Sequence, residues 1–87
     1  MSKSKKITVV GAGYVGMSLA ALLSEDHQVT ILEIDNKKVS LINNNISTVE
    51  DVDIELFLST KSLNLHATTD TKSALSKSEI ILIAIPT

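Results

Sequence analysis

The chain has no cysteine and no tryptophan, a single proline, three glycines and only two aromatic residues, Tyr14 and Phe57. Without cysteine there is no disulfide framework and no thiolate metal site. The two histidines, His27 and His66, stand far apart. Metal ligands cluster, so no metal site is expected. Two rings give no stacking platform for single-stranded nucleic acid, and the lysines are scattered rather than gathered into a basic face. No apolar run has the length and purity of a membrane-spanning helix.

What remains is the composition of a soluble globular protein: 44% hydrophobic, 21% charged, net charge −2. Residues 1–87 allow one small domain, burying roughly 60–65% of its unfolded surface. "KSKK" followed by apolar residues to Leu23 imitates a secretory signal peptide. Three features oppose that reading: the glycines have a meaningful spacing, no small-x-small cleavage site follows, and the next residues form another strand-like run. A cytoplasmic protein is the default expectation.

"KITVV", Lys6 to Val10, is β-branched and apolar on both sides, as in a strand buried on both faces of a parallel sheet. From Tyr14 to Ser24, Val15, Leu19, Leu22 and Leu23 recur as one face of a helix. "QVTILEI", Gln28 to Ile34, predicts a second strand. Asp35 or Asn36 can cap the next helix, which carries Val39, Leu41 and Ile42 and fades at Asn43 to Asn45. "VEDVDIELFLST" predicts a short helix with Val52, Leu56 and Phe57 inward. A weak strand follows near Leu63 to Ala67, then a helix from Thr71 to Ser76 capped by Asp70. "EIILIAI", Glu79 to Ile85, is the most apolar strand. Alternating strands and helices imply an α/β fold with right-handed βαβ crossovers.

All three glycines fall between positions 11 and 16, in "GAGYVG". A strand, then G-x-G-x-x-G, then a helix is the dinucleotide-binding arrangement, and each glycine has its own task. Gly11 lets the chain turn out of the strand. Gly13 has no Cβ, so a pyrophosphate can approach the backbone. Gly16 lets the helix pack close to the strand. The helix start, with Tyr14 and Val15 beside Ala12, turns free N–H groups and partial positive charge toward the phosphates. Glu33, seventeen residues beyond Gly16, closes the second strand. Its carboxylate can accept from the adenosine ribose hydroxyls and repels a 2′-phosphate, favouring NAD over NADP. Lys37 and Lys38 soften that preference. Asp35 is the rival acid, read here as a helix cap.

"KITVVGAGYVGMSLAALLS", "VTILEIDNKKVSLINN", "LNLHATTD" and "IILIAIPT" together resemble the N-terminal end of the UDP-glucose/GDP-mannose dehydrogenases, most of all their bacterial UDP-glucose-oxidising members. The resemblance runs from Lys5 to Thr87. It implies a partial Rossmann (doubly wound) fold of about four parallel strands in the order 3-2-1-4 with flanking helices. It also implies NAD as cofactor. By match to the family pattern, Gly11, Ala12, Gly13, Tyr14, Val15 and Gly16 form the phosphate turn and Glu33 is the ribose-binding acid. Lys38 lies against the adenosine end, and Pro86 and Thr87 lie beside the cofactor after the fourth strand.

Departures are visible: Glu33 where the family usually has aspartate, Thr48 where it often has proline, Asn45 where it often has glycine, and Ile85 where it often has threonine. Family members oxidise the C6 alcohol of a sugar nucleotide with two NAD, for surface-polysaccharide synthesis, and use a cysteine that this chain lacks. The resemblance therefore implies a cofactor-binding piece with no catalytic residue of its own and no activity alone. In a sheet stopping at four strands, the last would be an apolar edge, and self-association through Ile80 to Ile85 is expected. The rival from another class is a nucleotide-sensing regulatory domain of a potassium transporter or channel. The long "NNNISTVEDVDIELFLST" segment before the third strand favours the dehydrogenase. Another dehydrogenase sharing this N-terminal plan is a further alternative, opposed by "GYVG" and the final "PT".

Overall fold

A computed structural model describes residues 4–60 and 64–85. Four strands, β1 (Lys6–Val10), β2 (Gln28–Leu32), β3 (Leu65–Thr68) and β4 (Ile80–Ile83), alternate with α1 (Tyr14–Leu23), α2 (Asn36–Asn43), α3 (Val52–Thr60) and α4 (Thr71–Ser76). The strands are all parallel and lie in the order β3-β2-β1-β4. This is the 3-2-1-4 half of a doubly wound sheet.

Residues paired across the strands share a face. Ile7 and Val9, Val29 and Ile31, and Ala67 form one apolar face. Met17 and Ala20 of α1, Ile42 of α2, and Ile54 and Leu58 of α3 close over it as a single core. The opposite face carries Thr8, Thr30, His66 and Thr68 and is crossed by α4. Thr8 is buried there because its hydroxyl has partners: it bonds the Ala74 carbonyl at 3.2 Å and the Ser78 hydroxyl. Among the described residues no buried side-chain polar atom lacks a partner.

The expected caps are present. Asp35 Oδ1 accepts from the Lys37 N–H at 2.9 Å and Asp70 Oδ1 from the Ser73 N–H at 3.0 Å, each satisfying a free donor at a helix start. Asp51 does the same for α3 through the Ile54 N–H at 3.1 Å.

Three inward faces differ from the sequence expectation. In α1 the buried line is Gly16, Met17, Ala20 and Ala21, while Val15 and Leu22 are exposed and Leu19 and Leu23 half-buried. The helix meets the turn through the bare Gly16 backbone, which turns the face of Gly16, Met17, Ala20 and Ala21 inward and Val15 and Leu22 outward. In α3 the inward pair is Ile54 and Leu58, with Val52 77% exposed, Leu56 exposed and Phe57 half-buried. That helix begins only at Val52, so the face is set by the four-residue spacing from Ile54. In α2, Ile42 is buried and Val39 half-buried, but Leu41 points outward. Strand β2 also stops at Leu32, short of Ile34, which is fully exposed to solvent in the turn toward α2. Of the expected third strand, Leu63 lies outside the described residues.

The two sheet edges are not alike. On the β3 side, Asn43 reaches across and bonds both backbone groups of Ala67: its Nδ2 donates to the Ala67 carbonyl at 3.0 Å and its Oδ1 accepts from the Ala67 N–H at 2.8 Å. A side-chain amide thus takes the place of a neighbouring strand. The sheet ends on the other side at β4, where Ile80, Ile81 and Ile83 are all exposed.

Candidate functional site

The site lies where β1 ends. Gly11 leaves the strand with φ +105°, a conformation that side chains rarely adopt, and its N–H donates to the Leu32 carbonyl at 3.0 Å. A Cβ at this position would also stand 2.8 Å from the Ala84 carbonyl oxygen. Gly16 brings α1 down onto the turn, leaving no room for a Cβ against the Gly11 carbonyl. Gly13 differs from both: a Cβ there meets nothing within 4 Å. Its bareness serves no internal packing.

Gly13 is also the N-cap of α1, and no side chain caps that helix. The first intrahelical bond runs from the Met17 N–H to the Gly13 carbonyl at 2.9 Å. The four N–H groups before it, Gly13 to Gly16, have no partner among the described residues. They are the free donors every helix start presents. Here they open beside a cleft of about 350 Å³ lined by Gly13, Tyr14, Val15, Ile83, Ala84 and Ile85.

Glu33 follows β2 and reaches back to the turn. Its Oε1 accepts from the Ala12 N–H at 3.1 Å and its Oε2 from the Asp35 N–H at 3.0 Å. The methylene by which glutamate exceeds aspartate spans this distance. An ionised carboxylate has about four acceptor positions, so two remain for hydroxyl donors. Asp35, the rival acid, is committed to capping α2. Lys38 stands half-buried in the first turn of that helix. Pro86 and Thr87 lie outside the described residues.

Two side-chain bonds of this site carried no signal in the sequence. The Thr48 hydroxyl donates to the Ala12 carbonyl at 2.6 Å, and the Tyr14 hydroxyl donates to the Glu50 carbonyl at 3.0 Å. Both contacts join the glycine turn to the segment between α2 and α3, 36 positions away. A second hollow of about 330 Å³ opens between α4 and the polar face of the sheet, lined by Thr30, His66, Ser73 and Lys77 among others. It has no part in the glycine turn.

The residues fit a dinucleotide: a bare position at the right place, an uncapped helix start and an acid with spare acceptor capacity. The family model for the NAD binding domain of the UDP-glucose/GDP-mannose dehydrogenase family matches residues 5–87. The chain belongs to that family. It is similar to UDP-glucose 6-dehydrogenases from Streptococcus pneumoniae (43% identical over 82 residues, 94% of this chain and 21% of the relative) and Campylobacter jejuni (40% over 84 residues). Among solved structures it is similar to a GDP-mannose dehydrogenase from Pseudomonas aeruginosa, in a ternary complex, with TM-score 0.86 and 32% identity over 94% of this chain and 20% of that one. The chain thus spans about a fifth of the length of these relatives. Family membership gives the chain the NAD binding domain of that family and favours this reading over the nucleotide-sensing regulator. No helix among the described residues is long and apolar enough to cross a membrane.

Proposed function

We propose that these 87 residues form the first part of a dinucleotide-binding domain and hold NAD by its ADP end. The observation that carries this is Gly13, open to solvent at the start of an uncapped helix. The diphosphate lies over the bare Gly13 backbone and accepts from the amides of Gly13 to Gly16, with the α1 dipole adding attraction. Glu33 accepts from the adenosine ribose hydroxyls while Ala12 and Asp35 hold its carboxylate in place. Lys38 sits at the adenosine end. Bound NAD supplies a hydride acceptor at its nicotinamide ring.

The full-length enzyme of this reading oxidises the C6 alcohol of UDP-glucose to a carboxylate for polysaccharide synthesis, in the cytoplasm. The 87 residues alone are inactive, since they include no cysteine to serve as nucleophile. They also pair with a second copy through β4. Asn43 covers the β3 edge, so β4 to β4 contact about a two-fold axis closes into a dimer rather than a filament.

Side-by-side titration of ADP-ribose and NAD tests the cofactor reading. Similar, weak affinities support capture by the ADP end. Absence of ADP-ribose binding, or much tighter binding of NAD, contradicts it.

A further inference from the structure

We infer that Thr48 is a positioning residue for the dinucleotide: by holding the Ala12 carbonyl, its hydroxyl sets the Ala12–Gly13 peptide so that the Gly13 N–H faces the diphosphate. The inference rests on the function proposed above and adds to it a residue outside the glycine motif.

Ala12 is buried in the middle of the turn, and both of its backbone groups are held by side chains from elsewhere in the chain. Glu33 takes its N–H at 3.1 Å and Thr48 donates to its carbonyl at 2.6 Å. No peptide bond among the described residues is cis. In a trans peptide the C=O and the following N–H point to opposite sides. With the Ala12 carbonyl tied to Thr48, the Gly13 N–H is directed the other way, where it has no partner among the described residues.

Such a tether matters at this position because Gly13 supplies one of the two torsions about which the Ala12–Gly13 peptide turns. Glycine visits both signs of φ with little penalty, so it opposes rotation of the adjoining peptide less than any other residue. The segment that carries Thr48 is itself braced. The Ser47 hydroxyl donates to the Val49 carbonyl at 2.7 Å and accepts from the Val49 N–H at 3.1 Å. Tyr14, the first residue of α1, reaches back to the Glu50 carbonyl at 3.0 Å. Turn and segment thus hold each other through two bonds of opposite direction.

The test compares wild type, Thr48→Val and Thr48→Ser with two probes, ADP-ribose and adenosine, by titration of the 87-residue chain. Valine keeps the shape and removes the donor. Thr48→Val is expected to weaken ADP-ribose about two- to tenfold, the range of one net hydrogen bond. Adenosine has no phosphate and is expected to bind Thr48→Val as it binds wild type, and Thr48→Ser to restore ADP-ribose affinity. Equal ADP-ribose affinity in wild type and Thr48→Val overturns the role of Thr48 and leaves the cofactor reading standing. An equal loss for both probes, or no rescue by serine, overturns it too, since each indicates general damage. A wild-type chain that binds no ADP-ribose removes the cofactor reading and this inference with it.

Discussion

Gly16 lies against Gly11 so closely that a Cβ on Gly16 would stand 2.1 Å from the Gly11 carbonyl oxygen. The atom it would meet is backbone, which cannot swing aside. Gly16→Ala must therefore push α1 off the sheet and open the line of Met17 and Ala20 beneath it. The expected cost is about 3 kcal/mol or more, against a total of roughly 5–10 kcal/mol for a small domain. Urea denaturation is the check, and a variant as stable as wild type contradicts the packing described.

Gly13 should behave in the opposite way. Its φ of −81° suits any residue, and the space around a Cβ is open. Gly13→Asp gives α1 the cap it lacks and places a negative charge at the positive end of the helix. The expected gain is about 0.5–1 kcal/mol, or roughly 2–8 °C in Tm. The same carboxylate occupies the amides and repels a diphosphate, so ADP-ribose binding should vanish. Thermal melts and a titration on one sample read both effects. A variant that is more stable and still binds would show that the diphosphate lies elsewhere.

Glu33→Gln isolates the bridging carboxylate. Each of its oxygens accepts from a different backbone N–H, of Ala12 and of Asp35. A glutamine amide presents one oxygen and one NH₂, so in either orientation one backbone donor faces another donor. The expected loss is about 1 kcal/mol of stability together with weaker ADP-ribose binding. Faster amide exchange at Ala12 or Asp35 would mark the broken contact. Unchanged exchange at both contradicts the bridge.

The uneven edges of the sheet predict uneven responses to mutation. Replacing Ile81 and Ile83 together by lysine charges the β4 edge, and sedimentation should then show monomer at concentrations where wild type dimerises. Asn43→Ala uncovers the N–H and C=O of Ala67. It should cost about 1–2 kcal/mol and let association run past the dimer. A wild-type chain that is monomeric at high concentration contradicts the pairing.

Much of this fold is written locally. Asp35 and Asp70 announce the helices that follow them, β-branched runs mark β1 and β4, and the three glycines have the spacing that the turn, the open position and the helix contact require. The misread face of α1 shows where local pattern ends. Leu19, Leu22 and Leu23 make the stronger apolar stripe, yet the close contact of Gly16 with the Gly11 carbonyl turns Gly16, Met17, Ala20 and Ala21 inward. Which face of a helix turns inward is decided by the partner surface, which periodicity does not contain. The bonds of Thr48 to Ala12 and of Asn43 to Ala67 lie further still beyond local reading. Each depends on two segments meeting in space, and neither a threonine in a loop nor an asparagine at a helix end signals its distant partner.

The proposed function stands or falls with a diphosphate on the amides that open α1. Amide chemical shifts of the ¹⁵N-labelled chain during an ADP-ribose titration test it most directly. Saturable shifts led by Gly13, Tyr14, Val15 and Gly16 are expected, with Ala12 and the residues around Glu33 following. Saturable shifts confined to another surface, such as the hollow beside His66 and Lys77, or no shifts at all, would contradict it.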